Sequence, residues 1–474
     1  MSTPSFSRPP STRSAESVPR AKGNGKTDAE LGDNVVHDAV FGELSGGGPN
    51  YRNLSTMGAW VLISKANIGL GVLSLPYVLH ILGLVPGLIL LVTIAAIIAY
   101  CAAQVGSFKL RHPEVYDLAD GGLVVGGRPL KEILYFFFYL YMITMVSSAI
   151  VSVSTALNAV SAHGACTAVF IAVSAIMGLL LGSIRTLDKV SIVGWAGLVS
   201  LAAALLTLTI AVGLQDRPPD APKLGPWDKD LHVVAQPTFA KAMSAIASIV
   251  FSFGSTATYW NVASEMRNPR SYTKAMLWSV GIITVVYCVI GGVVYGYCGR
   301  YVASPALGSA GPLLKKICYG IAIPALVGSL TIYGHLAGKH IFIRLLKGTR
   351  HLASNSRVHW MTWLGCMFAG TVISYIIASA VPNFGSIISL VGAFVCPTVA
   401  IWPYNLMWWH DNWRYASPER RRNWRLRAEL ALNIFLFVLA FFLTAGGTYG
   451  AIMDVIETTS DAGPWSCDDN SHSV

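Results

Sequence analysis

Ser64-Lys65-Ala66-Asn67-Ile68-Gly69-Leu70-Gly71-Val72-Leu73-Ser74-Leu75-Pro76-Tyr77 lies in the middle of an apolar run long enough to cross a membrane, yet it carries a lysine, two glycines and a proline. A plain anchor is not built this way. Hydrocarbon offers no partner for freed backbone groups, so a helix broken at mid-depth is tolerated only where the break is buried in protein or lines a cavity. This reading makes the segment a solute site rather than a tether.

Composition supports a membrane setting. The 474 residues are 53% hydrophobic and 12% charged, with a mean hydropathy of +0.54, whereas soluble domains carry about 25% charge. Residues 1–50 are the exception, rich in Ser, Pro, Gly and charge, and read as a disordered cytoplasmic tail without an apolar signal-peptide core. Windows of about 20 apolar residues give about eleven spans. They fall near 57–80, 84–108, 131–160, 166–184, 190–213, 238–262, 274–298, 312–338, 358–381, 384–407 and 429–453. The organisation expected is a tail at 1–50, a transporter domain at 51–455 and a short extracytoplasmic tail at 456–474.

Basic residues collect in cytoplasmic loops. Lys109, Arg111, Arg128 and Lys131, then Arg185 and Lys189, then Arg267, Arg270 and Lys274, then Lys339, Arg344, Lys347, Arg350 and Arg357, and finally the 414–427 cluster of six arginines, all fall on one side. The other side has fewer: Arg217, Lys223 and Lys229 stand among Asp216, Asp220, Asp228 and Asp230, and Lys241, Arg300, Lys315 and Lys316 follow. No Lys or Arg follows residue 453. The pattern implies an odd number of spans with the N-terminus inside and the C-terminus outside. The net charge of +10 is thereby explained by orientation and anionic lipid, not by nucleic acid. The cysteines are scattered singly and read as small apolar packers, although two of the outward-lying Cys166, Cys298, Cys318 and Cys467 could be bridged.

The sixth span contains a second anomaly, Phe251-Ser252-Phe253-Gly254-Ser255-Thr256-Ala257-Thr258-Tyr259-Trp260, a small polar stretch at mid-membrane. Two interrupted helices at corresponding positions of two halves are the sequence pointer to an inverted-repeat transporter with its site at the repeat interface. The freed half-helix N-termini would face an anionic group such as a carboxylate. The competing reading, that small residues merely allow close helix packing, suits either stretch alone better than the matched pair.

Gly69-x-Gly71-Val72-Leu73-Ser74-Leu75-Pro76, with Gly83 after it, resembles the first-helix signature of the amino acid/auxin permease family. Phe108-Lys109-Leu110-Arg111-His112-Pro113-Glu114-Val115-Tyr116, Asn158-Ala159-Val160-Ser161-x-His163-Gly164, Ser183-Ile184-Arg185-Thr186-Leu187 and Ala263-Ser264-Glu265-Met266 to Pro269 are similar to its fungal neutral amino acid permease branch. The likeness runs over about residues 51–415. It implies an all-α polytopic fold of eleven helices, a LeuT-like 5+5 inverted repeat plus one extra helix. It also implies proton-driven uptake of neutral amino acids, at a fungal plasma or vacuolar membrane. Gly126-Gly127-Arg128 departs from the Phe-Gly-Arg more usual in relatives, in a cytoplasmic loop.

The substrate-binding candidates are Gly69, Leu70 and Gly71 in the first break, Ser252, Phe253, Gly254 and Thr256 in the second, and Tyr139 and Tyr333 on the third and eighth spans. Tyr139, like Tyr135 and Tyr141, reads equally as a packing residue, and Ser147 and His335 are weaker candidates still. Lys65 stands about eight residues, roughly 12 Å, into the first span. An intramembrane charge is a functional hypothesis by default. No Asp or Glu falls inside a span, so Lys65 is the coupling candidate, either titrating or serving as a fixed ammonium in a cation site. The opposing reading is a lysine snorkelling to the interface.

A secondary amino acid carrier is the leading function. A same-fold carrier or exporter of an amino-acid-derived metabolite or cyclic imino acid is second, and a non-transporting nutrient sensor third. Neither a His/Asp metal set, a Gly-x-Ser-x-Gly elbow nor a P-loop is found, so no enzyme, cofactor or metal is expected. The partners expected are an amino acid or related small molecule, a proton and the lipid bilayer.

Overall fold

Ser55 starts the first helix: its Oγ accepts the Gly58 N–H at 3.0 Å, satisfying one orphan donor of the first turn. In a computed structural model of the protein, residues 36–38, 42–44, 54–184, 187–222, 224–346, 349, 351, 356–381, 383–459 and 463–471 are described. Of the unit formed by Met1–Asn50, these include only strands β1 (Val36–Asp38) and β2 (Gly42–Leu44), paired antiparallel with Val36 opposite Leu44. The rest of the expected disordered tail lies outside the described residues, as do Arg185, Lys223, Lys347, Arg350 and Pro382.

The second unit, Tyr51–Val474, is built of helices joined by loops in its described residues. The first expected span is α1 (Thr56–Asn67) and α2 (Leu75–Leu82), joined by a 3-10 turn at Gly71–Leu73. Then come α3 (Leu84–Arg111), α4 (Leu118–Ser161), α5 (Thr167–Gly182) and α6 (Leu187–Leu214). The second broken element is α7 (Phe239–Phe253), a 3-10 turn at Gly254–Thr258 and α8 (Tyr259–Glu265). It is followed by α9 (Tyr272–Cys298), α10 (Pro312–Leu346) and α11 (Arg357–Ala380). A bent run α12 (Phe384–Phe394), α13 (Cys396–Ala400) and α14 (Trp402–Trp408) comes next, and α15 (Pro418–Arg422) and α16 (Trp424–Thr459) close the order.

Eight described helical segments are long and apolar enough to cross a membrane, nine if Phe384–Phe394 and Cys396–Arg414, bent by 46°, form one span. The other two expected spans are the α1–α2 pair, of 12 and 8 residues, and the 16-residue α5, each shorter than the ~20 residues a straight crossing needs. Leu180, Val285, Phe368, Phe435 and Val438 are at least 60% exposed, an apolar belt of the kind lipid covers.

The core sits on α4, whose residues from Tyr141 to Ala156 are buried without interruption. Four of its polar side chains are satisfied within the helix: Ser147, Ser148, Ser152 and Thr155 each donate to the carbonyl four residues back, at 2.7–3.0 Å. The Gly126-Gly127 departure has a backbone reason. Gly127 adopts φ +68°, a conformation only glycine takes freely, and there α4 breaks between a short leading piece and its membrane-length body.

Cys166 is bonded to Cys467, 301 residues away, so one of the open cysteine pairings is realised, and the other six cysteines are free. The bridge is one of several ties on the C-terminal tail. Thr167 Oγ1 donates to Asp468 O (2.5 Å), Asn158 Nδ2 to Asn470 Oδ1 (2.7 Å), Lys315 Nζ to Ser471 O (2.5 Å) and Trp465 N to Ser379 O (3.1 Å). The tail thereby crosses the ends of α4, α5, α10 and α11.

Candidate functional site

The two broken helices meet. α1 ends where Ile68 N–H donates to Ser64 O at 2.7 Å, and the chain runs through Gly69 and Leu70 into the 3-10 turn. Pro76 stands in the first turn of α2, where its missing N–H costs nothing. Across from Gly71 lies Ser252 of α7. A Cβ on Gly71 would fall 2.5 Å from Ser252 Oγ and 2.6 Å from its Cα, so only glycine admits this approach. A Cβ on Gly254 would fall 2.6 Å from Cys396 Sγ of α13.

Side chains satisfy the backbone groups that the breaks release. Tyr287 of α9 places its Oη 2.8 Å from Asn67 O and 3.2 Å from Ser252 O, one hydroxyl shared between the two breaks. Asn67 donates through Nδ2 to Ile63 O (2.9 Å) and to Tyr259 Oη, and its Oδ1 accepts from Ser255 Oγ at 2.7 Å. Tyr333 Oη of α10 donates to Ala66 O at 3.3 Å. Such groups would each cost several kcal/mol if left bare in hydrocarbon.

Between the breaks lies a small cavity, lined from the first by Lys65 to Asn67 and Gly69 to Gly71, from the second by Phe251 and Ser255, and from α4 and α10 by Tyr141, Met145, Ser329 and Tyr333. Of the sequence candidates, Lys65, Gly69, Leu70, Gly71 and Tyr333 line it. Ser252, Phe253, Gly254 and Thr256 form the second break without lining the cavity. Ser252 Oγ donates back to Ser248 O at 2.9 Å, Phe253 packs against the Tyr287 ring at 5.2 Å, and Thr256 Oγ1 is buried without a partner among the described residues. Tyr139 lies elsewhere, its ring 6.3 Å from His340. Two residues from Tyr141, it is rotated about 200° round α4. Ser147 bonds its own helix, and His335 Nδ1 pairs with Gly182 O at 3.3 Å, edge-on to Trp363.

Lys65 is 7% exposed. Its Nζ donates to Ser329 Oγ at 3.1 Å, and Ser329 passes its own proton to Ala325 O at 3.1 Å. Gly197 of α6 gives the ammonium room, since a Cβ there would stand 3.3 Å from Lys65 Cε. The lysine thus bridges α1, α6 and α10, and no described carboxylate pairs with it. The lining holds one cation, hydroxyls, an amide and unwound backbone, and no carboxylate among its residues. Such a lining offers hydrogen-bond donors and acceptors to a small polar solute.

Sequence reasoning missed Asn67, Ser255, Tyr259, Tyr287 and Ser329. Asn67, a polar residue beside a mid-membrane break, was the one visible signal. The others show their role only when helices distant in sequence come together.

Paired broken helices enclosing a buried polar cavity, in an otherwise apolar helical body, define a polytopic membrane transporter. The transmembrane amino acid transporter protein family model matches residues 52–453, and the chain belongs to that family. A Gibberella moniliformis protein described as a transmembrane transporter is 32% identical over 98% of this chain and 96% of its own length. A Fusarium pseudograminearum protein of the same description is 30% identical over 90% and 89%. The N amino acid transport system protein of Neurospora crassa is 33% identical over 86% of each chain.

Proposed function

We propose that the protein is a secondary active carrier of neutral amino acids, driven by protons, with eleven spans arranged as a 5+5 inverted repeat plus one helix. The observation that carries this reading is the meeting of the two breaks around one cavity. Unwound backbone at Gly69–Gly71 and the N-terminal end of α2 offer N–H groups and a positive dipole end to a carboxylate, while carbonyls and hydroxyls of both breaks suit an amino group. The uncharged remainder of the lining, Tyr141, Met145, Phe251 and Leu70, favours neutral side chains. Lys65, held between α1, α6 and α10, is the coupling group in this reading. Family membership and the Neurospora crassa relative support amino acids as the substrate class.

The N-terminus is cytoplasmic and the C-terminus extracytoplasmic, at a plasma membrane. The Cys166–Cys467 bridge supports this, since disulfides persist on the oxidising side. The test is uptake by purified protein in liposomes, with and without a pH gradient, against a competition panel. Each charge-assisted hydrogen bond lost costs about 1.5–3 kcal/mol, so the methyl ester or the decarboxylated amine of a good substrate should compete roughly ten- to a hundredfold worse. An ester that competes as well as its acid removes the carboxylate site and moves the reading to a carrier of amino-acid-derived metabolites. Binding without uptake moves it to a sensor.

A further inference from the structure

At the far end of α3 from Gly83, remote in sequence from both breaks, the chain gathers a second set of polar groups. His112 follows the last residue of α3, and His410 and Asp411 sit on a π-helical turn, Trp409–Arg414, that continues α14. Such turns are rare and recur at functional sites. Here the turn lets the adjacent His410 and Asp411 meet, with His410 Nδ1 3.1 Å from Asp411 Oδ1. His112 Nε2 reaches the same oxygen at 2.9 Å. The three donor atoms lie within 4.8 Å of one another.

We propose that His112, His410 and Asp411 form a transition-metal site for which Zn²⁺ is the fitting ion. Two imidazole nitrogens and a carboxylate oxygen make a three-ligand set with an open fourth position, bonded at about 2.0–2.2 Å. Tetrahedral geometry sets such ligand atoms about 3.3 Å apart, close to the spacing already present around Asp411 Oδ1. The donor set selects Zn²⁺, Co²⁺ or Ni²⁺ over Mg²⁺ and Ca²⁺, which prefer oxygen shells.

Outer partners are also in place. Glu114 Oε1 stands 3.7 Å from His112 Nδ1, where a small closure would fix the tautomer that leaves Nε2 free for the ion. Arg111 approaches the other carboxylate oxygen, Asp411 Oδ2, at 3.3 Å and is anchored on Asn412 Oδ1 at 3.2 Å, so Oδ1 stays available. The side chains of Asp411 and His410 are 6% and 10% exposed, and that of His112 is 21%: shielded, with a path in through His112. Without an ion, the same imidazoles donate to Asp411. With one, the end of α3 is tied to the end of α14 by coordination bonds.

The test uses the full-length protein, purified without a polyhistidine tag, stripped with chelator and titrated with Co²⁺ and Zn²⁺. One ion per chain is expected, with the visible bands of tetrahedral Co²⁺ bleached by Zn²⁺ and unaffected by excess Mg²⁺. His112→Gln and His410→Gln should each weaken binding at least tenfold, and Asp411→Asn should do likewise, while His359→Gln leaves it unchanged. Size-exclusion profiles identify variants that fail to fold, and for those the milder Glu114→Gln should still weaken binding several-fold. Absence of saturable binding, or equal binding by wild type and the His112→Gln/His410→Gln double variant, overturns the proposal.

Discussion

A methyl group at each of the two contact glycines should have opposite rescue behaviour. In Gly71→Ala the new Cβ would sit 2.6 Å from Ser252 Cα and 2.5 Å from Ser252 Oγ. Trimming Ser252 removes the hydroxyl but not the Cα, so the two broken helices must separate by about 0.8 Å to reach ordinary contact, and overpacking of this kind costs about 1–3 kcal/mol. In Gly254→Ala the obstruction is a side chain, Cys396 Sγ at 2.6 Å and Cβ at 3.0 Å, and Cys396→Ala deletes the nearer atom. If 2 kcal/mol of strain falls on the arrangement in which the breaks touch, that arrangement is depleted about thirtyfold. The assay is liposome uptake beside thermal melting by fluorescence-detected size exclusion. Gly71→Ala should lose uptake at least tenfold and stay impaired with Ser252→Gly. Gly254→Ala should be impaired and then restored by Cys396→Ala, with a coupling of about 1 kcal/mol or more in the melting cycle. Full activity of Gly71→Ala, or its rescue by Ser252→Gly, would refute the claim that backbone contact between the breaks shapes the site.

Lys65→Met should cut proton-driven uptake at least tenfold with membrane delivery intact, because Ser329 keeps its bond to Ala325 O; near-normal pH-dependent uptake returns Lys65 to a structural role. Asp117 caps α4 by accepting the Asp120 N–H at 2.8 Å; burial, with help from the Asp120 charge, pushes its carboxyl up from 3.8 to about 6. The folded state therefore favours the protonated acid, and stability falls as pH rises from about 4 through about 6. Asp117→Asn, which keeps a capping oxygen, should match wild type at pH 4 and melt higher above pH 6, by about 1–3 kcal/mol; a difference independent of pH counts against it. Cys467→Ser should expose the 463–471 segment to protease from the outer side and lower the melting temperature, as loss of about 2–4 kcal/mol would; alkylation of both Cys166 and Cys467 in the untreated native protein would show that they are not bonded. An antibody should reach a C-terminal tag on wall-free intact cells and miss an N-terminal one, and labelling of both ends on one side removes the eleven-span reading.

Both breaks were legible because each relies on residues that hydrocarbon disfavours unless needed: Gly69, Gly71 and Pro76 in one, Gly254 and its hydroxyl neighbours in the other. Lys65 was legible for the same reason. The sequence could not show which helical faces turn inward. Tyr333 lines the cavity while Tyr139 does not, and Tyr141 and Met145, four residues apart on one face of α4, take the place that Tyr139 was a candidate for. Periodicity cannot orient a helix such as α4 whose core stretch is buried on every side and carries small hydroxyls among its apolar residues. Partners far apart in the chain were equally hidden: Tyr287 with Asn67 and Ser252, Cys166 with Cys467, and His112 with His410 and Asp411. The Gly126-Gly127 departure was visible, but its meaning, a positive φ at the break in α4, needed the backbone.

The bonds that close the two breaks would let a carrier's site be stable and still able to rearrange. In a continuous helix each carbonyl is held by the backbone four residues on, and moving it disrupts the ladder. Here Asn67 O and Ser252 O share one tyrosine hydroxyl, Ala66 O takes another, and Asn67 itself joins Ile63, Tyr259 and Ser255. Each such bond contributes only about 1 kcal/mol net, because a side chain can be exchanged for water or for a ligand group. Under the proposed function, a substrate ammonium would donate stronger, charge-assisted bonds to the same carbonyls. Binding of that kind would have the leverage to re-sort these contacts, while the close approach of Gly71 to Ser252 holds the two breaks together.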